Sequence, residues 1–227
     1  MRNINRFVAT LGLALFVAQT HAVEFDFLPN AGTLTGGDGN TYTAEVAGLT
    51  ITASAWSSAA GNVFQAGELT LTAAGLGVYG AGEVRNASGA DSLGNRTAKG
   101  VDTSDLVLFS FSSKVSLQSL SAYQIDKDSD LNLWAGSGTF SPDGMTTMLY
   151  ENTNTVAGIR NVGLSTFNES YDWLAVAARI GQKDDLVRLQ SLRVTPVAQP
   201  VPDAATWMTM LAGLGFVGFA VKRRTRA

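Results

Sequence analysis

The run Leu106-Val-Leu-Phe-Ser-Phe111 decides the fold class. A continuous apolar stretch of this kind is expected of a β-strand buried on both faces. Alternation on either side of it has the period of strands. Leu49, Ile51, Ala53 and Ala55 alternate with Thr50, Thr52, Ser54 and Trp56. Leu69 and Leu71 alternate with Glu68, Thr70 and Thr72, and Leu174, Val176, Ala178 and Ile180 with Trp173, Ala175, Ala177 and Arg179. Val187, Leu189, Leu192 and Val194 predict a last strand. Gly36-Gly-Asp-Gly-Asn40, Ser58-Ala-Ala-Gly-Asn62 and Ser141-Pro-Asp-Gly144 are turn signals between such runs. No period of 3.6 stands out between Val23 and Thr195.

Composition agrees with an all-β exported domain. The 227 residues include 24 Gly, 22 Thr and 18 Ser, and only 15% are charged; about 25% is usual for soluble domains. The expected architecture is therefore all-β, a jelly-roll-like β-sandwich body over 23–195. Residues 73–100, rich in Gly and Ala, read as a long surface loop.

The same composition removes whole classes of chemistry. There is no cysteine, so no disulfide framework, CxxC redox motif or thiolate metal site. His21 is the one histidine and falls in a segment expected to be removed. The mature chain would then lack the base of Ser-His-Asp and Cys-His catalysis and the usual zinc and haem ligands.

Both ends read as addresses. Arg2 and Arg6 precede an apolar run from Phe7 to Ala18, and Thr20-His-Ala22 offers small residues before a cut. Residues 1–22 are thus expected to be a secretory signal peptide, cleaved after Ala22, with Val23 the mature N-terminus. Residues 196–203 form a linker marked by Pro196, Pro200 and Pro202. From Ala204 to Val221 follow 18 largely apolar residues, about 27 Å as a helix and marginally enough to span a bilayer. Gly213, Gly215 and Gly218 fall at close-packing spacings along it. Lys222, Arg223, Arg224 and Arg226 end the chain and would hold that end in the cytoplasm. Physical chemistry alone gives a C-terminal membrane anchor with the body outside the cytoplasm.

Val201-Pro-Asp-Ala-Ala-Thr-Trp207, the apolar glycine-containing stretch and the Arg-rich end resemble a PEP-CTERM sorting signal. The family pattern is Val-Pro-Glu-Pro-Ala-Thr-Trp. Val201, Pro202, Ala205, Thr206 and Trp207 match it; Asp203 stands where Glu is usual and Ala204 where the second Pro is usual. Leu49-Thr-Ile-Thr-Ala-Ser-Ala-Trp56, Val101-Asp-Thr-Ser-Asp-Leu-Val-Leu-Phe-Ser-Phe111 and Asp128-Ser-Asp-Leu-Asn-Leu-Trp-Ala-Gly136 look like the body of an exosortase-dependent surface protein family. The resemblance implies recognition of Val201, Pro202, Asp203, Thr206 and Trp207 by exosortase, a membrane-embedded processing enzyme of Gram-negative bacteria that make exopolysaccharide. It implies transient residence in the inner membrane, then the cell surface or extracellular matrix. It brings no catalytic activity. A permanent tail anchor is the alternative.

Residues 23–203 carry 10 basic and 19 acidic residues, a formal net charge of −9. That balance argues against nucleic acid as a partner, since phosphate contacts need a basic face. Within the body, Asp126, Asp128 and Asp130 have the alternate-carboxylate spacing of a Ca²⁺ loop. Leu131 and Ser137 replace the Gly and Glu an EF-hand needs, so the loop would bind Ca²⁺ in another geometry or be a solvated edge. No other cofactor is expected. Trp56, Trp134 and Trp173 each fall on the polar side of their local alternation. They would form an exposed stacking platform for sugar rings, or a second buried layer. Asp102 and Asp105 are a carboxylate pair that could serve glycoside hydrolysis or cap a turn. The expected role is non-enzymatic, structural or adhesive, in an exopolysaccharide matrix. A secreted carbohydrate-binding module is the alternative, and a carboxylate-only glycan enzyme a third reading.

Overall fold

The computed structural model describes residues 21–29, 39–59, 64–80, 92–94, 97–98, 101–125, 129–140, 148–151, 156–180 and 185–198. Every regular element among them is a β-strand. In chain order these are β1 (Val23–Asp26), β2 (Thr41–Val46), β3 (Leu49–Ala59), β4 (Gln65–Ala66), β5 (Glu68–Thr72), β6 (Gly75–Tyr79) and β7 (Leu93–Gly94). They continue as β8 (Thr97–Ala98), β9 (Val101–Gln124), β10 (Leu131–Gly136), β11 (Met148–Tyr150), β12 (Gly158–Gly163), β13 (Tyr171–Ala178) and β14 (Leu186–Pro196).

One antiparallel sheet connects them, in the order β11-β10-β13-β9-β14-β6-β5 with shorter strands attached. Its axis is β9, 24 residues long. The first part of β9 pairs with β3 from Thr103 to Phe111 and with β13 from Leu106 to Ser110. The second part, Val115 to Gln124, pairs with β14, and Ser119 to Gln124 with β12. The partners change between Ser110 and Val115, where the β13 register slips between Trp173 and Tyr171. An irregularity of this kind lets one strand serve two sets of neighbours.

The side chains explain why both parts hold. Ile51, Ala53 and Ala55 of β3, Val107, Phe109 and Phe111 of β9, and Leu174 and Val176 of β13 enter one buried cluster. Leu120 and Ala122 of β9, Val187, Leu189, Leu192 and Val194 of β14, and Phe25 of β1 enter the same cluster. The Phe27 and Phe109 rings stack across it, with centroids 5.1 Å apart and planes 11° from parallel. Each large apolar side chain buried this way contributes about 1.5–3 kcal/mol. The run is covered on both faces as its sequence predicts from Leu106 to Phe109, because Leu106 and Leu108 point into a second buried cluster, while Ser110 is exposed.

Within 73–100, expected as a long surface loop, the described residues supply β6, β7 and β8. Leu76, Val78 and Leu93 are fully buried. The glycines that resembled loop punctuation permit close approach instead. A Cβ on Gly75, whose φ is +124°, would run into the Leu189 carbonyl of β14. Ile180, the last residue of the predicted β13 alternation, lies beyond that strand and is exposed.

The β2–β3 hairpin turns on Ala47 and Gly48, both with positive φ (52° and 78°). Two left-handed residues define the tight turn that matches strand twist, and Asn-Gly is its preferred pair. Ala47→Asn is expected to stabilise the body by about 0.5–1 kcal/mol, since asparagine tolerates the left-handed region better than alanine. Urea denaturation checks it, and a lower midpoint would contradict it.

Candidate functional site

The apolar stretch 204–221, the motif residues Val201, Pro202, Asp203, Thr206 and Trp207, and the basic Lys222, Arg223, Arg224 and Arg226 lie outside the described residues. So do residues 1–20 of the expected signal peptide. Among the described residues no helix is long and apolar enough to cross a membrane. What the fold does place is the body's two ends. His21 and Ala22 are exposed, and β1 begins at Val23, which is buried. β1 lies antiparallel to β14, with Val23 opposite Val194 and Phe25 opposite Leu192. β14 ends at Pro196, and the next residue, Val197, donates its N–H to the Lys114 carbonyl at 2.9 Å. The first and last strands of the body are thus neighbours, and their outer ends coincide.

The three tryptophans do share one face of the sheet, the one opposite the main core. Trp56 stands across from Leu106, Trp134 from Ala175, and Trp173 from Ser110. Of the two readings, the second buried layer holds for two of them and the exposed platform does not: Trp134 is 5% exposed and Trp173 8%. Small neighbours make this possible, since Ala175 and Ala177 leave room for indole rings in a cluster with Leu106 and Leu108. Phe140 packs on that layer, 6.0 Å from Trp56 and edge-on to Trp173 at 5.2 Å. The Trp173 indole N–H is buried without a hydrogen-bond partner. Trp56 keeps partial exposure, and its Nε1 donates to Ser54 Oγ at 3.2 Å.

Gly136 faces Trp173 across β10 and β13, and any Cβ there would overlap the indole ring. Gly136→Ala is therefore expected to displace Trp173 and to cost about 1–3 kcal/mol, the usual penalty for overpacking. A tryptophan emission shift alongside a lower denaturation midpoint would confirm it; an unchanged spectrum and midpoint would refute it.

Of the aspartate trio, Asp126 and Asp128 lie outside the described residues. Asp130 is buried, and its Oδ2 accepts from Arg179 Nη1 at 2.8 Å. This hydrogen bond, ahead of the charge attraction, raises the Arg179 pKa above its ordinary value against a smaller opposing effect of burial. The Asp130 backbone N–H donates to Asp185 Oδ1 at 2.8 Å, and Asp185 is fully buried. Nearby, Gln124 Nε2 donates to the Ser129 carbonyl and Ser129 Oγ to the Leu186 carbonyl. These contacts join Gln124, Ser129 and Asp130 to Arg179, just after β13, and to Asp185 and Leu186 at the start of β14. Among the described residues no group of three carboxylate or imidazole side chains is gathered for a metal. Asp105 is buried across from Ser57, and the side chain of its sequence partner Asp102 lies outside the described residues.

Sequence reasoning missed the Asp130–Arg179 pair and the role of Asp185. Their separations of 49 and 55 residues leave no local pattern to read. No protein-family model matches the chain, and a search of curated proteins finds no match.

Proposed function

We propose that this chain is an exported, non-enzymatic surface or extracellular-matrix protein, anchored by its C-terminal tail until exosortase processes it. Its body would fold as a jelly-roll-like β-sandwich in which β9 carries the sheet around one core. The role that fits is structural or adhesive, within exopolysaccharide outside a Gram-negative cell.

One observation carries this reading. The first strand begins at Val23, directly after the expected signal cut, and the last ends at Pro196, where the expected linker starts. The hydrophobic ends read from sequence thus flank the strands that carry the described core. An acidic body charge and the absence of cysteine from the chain are consistent with it. The half-exposed Trp56 beside Phe140 favours, as a second reading, a carbohydrate-binding module with a small stacking surface.

Intact mass of the native protein, taken separately from envelope and culture medium, tests the proposal. A body starting at Val23 and ending near Pro202, with or without an added group there, is the expected species. A chain that keeps Ala227 in the envelope would mean a permanent anchor and end the sorting reading.

A further inference from the structure

We infer that the end of the body where β9 changes partners is its membrane-facing side before processing, with the phospholipid surface as its neighbour. The inference rests on the tail-anchor reading above, and the strand register adds the direction. Val23 stands opposite Val194, so the N-terminal segment leaves the body beside the point where β14 ends. Val197 is still held, its N–H on the Lys114 carbonyl. Six residues, 198–203, then separate the body from the apolar stretch that begins at Ala204. Six extended residues reach at most about 20 Å. β14 alone runs 11 residues from the opposite end to this one, about 36 Å, so the tether is too short to bring that opposite end to the bilayer.

The same end is marked by side chains. Lys114 Nζ donates to Ser137 Oγ at 2.7 Å and lies 3.4 Å from Asp172 Oδ2. Gly138 N–H donates to Asp172 at 2.8 Å, and Ser137 Oγ to the Ser170 carbonyl. This surface is polar, with lysine and aspartate paired, so it would rest against headgroups rather than enter the hydrocarbon. At the opposite end lie Gln65, next to the rung joining Ser57 and Asp105, and Ile180, whose N–H bonds Asn132. Both hydrophobic segments can then occupy one bilayer while β1 and β14 pair, and both processing steps act on one side of a folded domain.

The chain has no cysteine, which gives a clean test. Thr139→Cys and Asn168→Cys place a fluorophore at the proposed membrane side; Gln65→Cys and Ile180→Cys place it at the other, and all four positions are exposed. Each full-length variant is labelled and reconstituted in phosphatidylcholine–phosphatidylglycerol vesicles that carry a nitroxide headgroup lipid. Vesicle flotation is scored on the same samples. The expected result is flotation of all four, with a larger loss of fluorescence at 139 and 168 than at 65 and 180. Flotation with equal or reversed quenching would overturn the orientation and leave the anchor standing. Failure to float would overturn the anchor, and the orientation with it. Unfolding curves on each labelled variant verify the fold, and the second position at each end replaces any variant that fails.

Discussion

Replacing Phe109 by alanine is expected to lower the unfolding free energy of the body by about 3–5 kcal/mol. Phe109 is fully buried in the part of β9 that pairs on both sides, opposite Ala53 of β3 and Leu174 of β13. Its ring stacks on Phe27, so truncation removes an aromatic pair as well as apolar area. Ala53 is too small to fill the space from its side, and Phe27 follows directly on the short β1. The cavity would therefore persist rather than collapse. A domain of this size has about 5–15 kcal/mol in total, so the variant should melt far earlier or fail to fold at modest temperature. Leu149→Ala, at a partly exposed position on β11, is the comparison; surface changes of this kind stay within about 0.5 kcal/mol. Equal effects of the two substitutions would mean that β9 is not the axis of the core.

Much of the strand content was legible because each signal was local. The alternation 49–55 and the run 106–111 become β3 and the centre of β9, with the inward residues the pattern selects. The change of phase from Val187 and Leu189 to Leu192 and Val194 is visible in the sequence. In the structure it is a register shift of β14 between Leu189 and Ser191. What was not legible depends on neighbours distant in sequence. Gly75–Tyr79 has the composition of a loop, and only the approach of Leu189 makes glycine necessary there. The tryptophans sit on the side that alternation marks as polar, and only the second apolar layer shows that this side is buried too. The pairing of Asp130 with Arg179 was not legible either, because its partner comes from another strand's end. The proposed sorting tail is the opposite case: its signal lies wholly in residue order, in residues outside the described ones.

Stopping the chain at two nearby points should give opposite outcomes. A protein of residues 23–198 is expected to fold cooperatively and remain soluble, while residues 23–185 are expected not to fold. The difference is β14. It pairs with β9 from Val187 to Pro196, and with β1, β6 and β7 along its other edge. Val187, Leu189, Leu192 and Val194 are all fully buried. Their loss alone removes roughly 6–12 kcal/mol of apolar burial, as much as the whole stability expected of such a domain. β1 would also lose its pairing partner, and with it the support for Phe25. All the core residues named here lie between Val23 and Val194, inside the longer truncation. Because β14 is the last strand among the described residues, the sheet cannot close until residue 196 is available, and the apolar stretch begins eight residues later, at Ala204. If the tail is the proposed anchor, completion of the body and arrival of the anchor are nearly simultaneous, and cutting beyond Ala198 would release a finished domain. Circular dichroism and a thermal melt on the two truncations decide the matter. A protein of residues 23–198 that lacks a cooperative transition would mean that the tail is part of the fold, and release by processing would no longer be tenable.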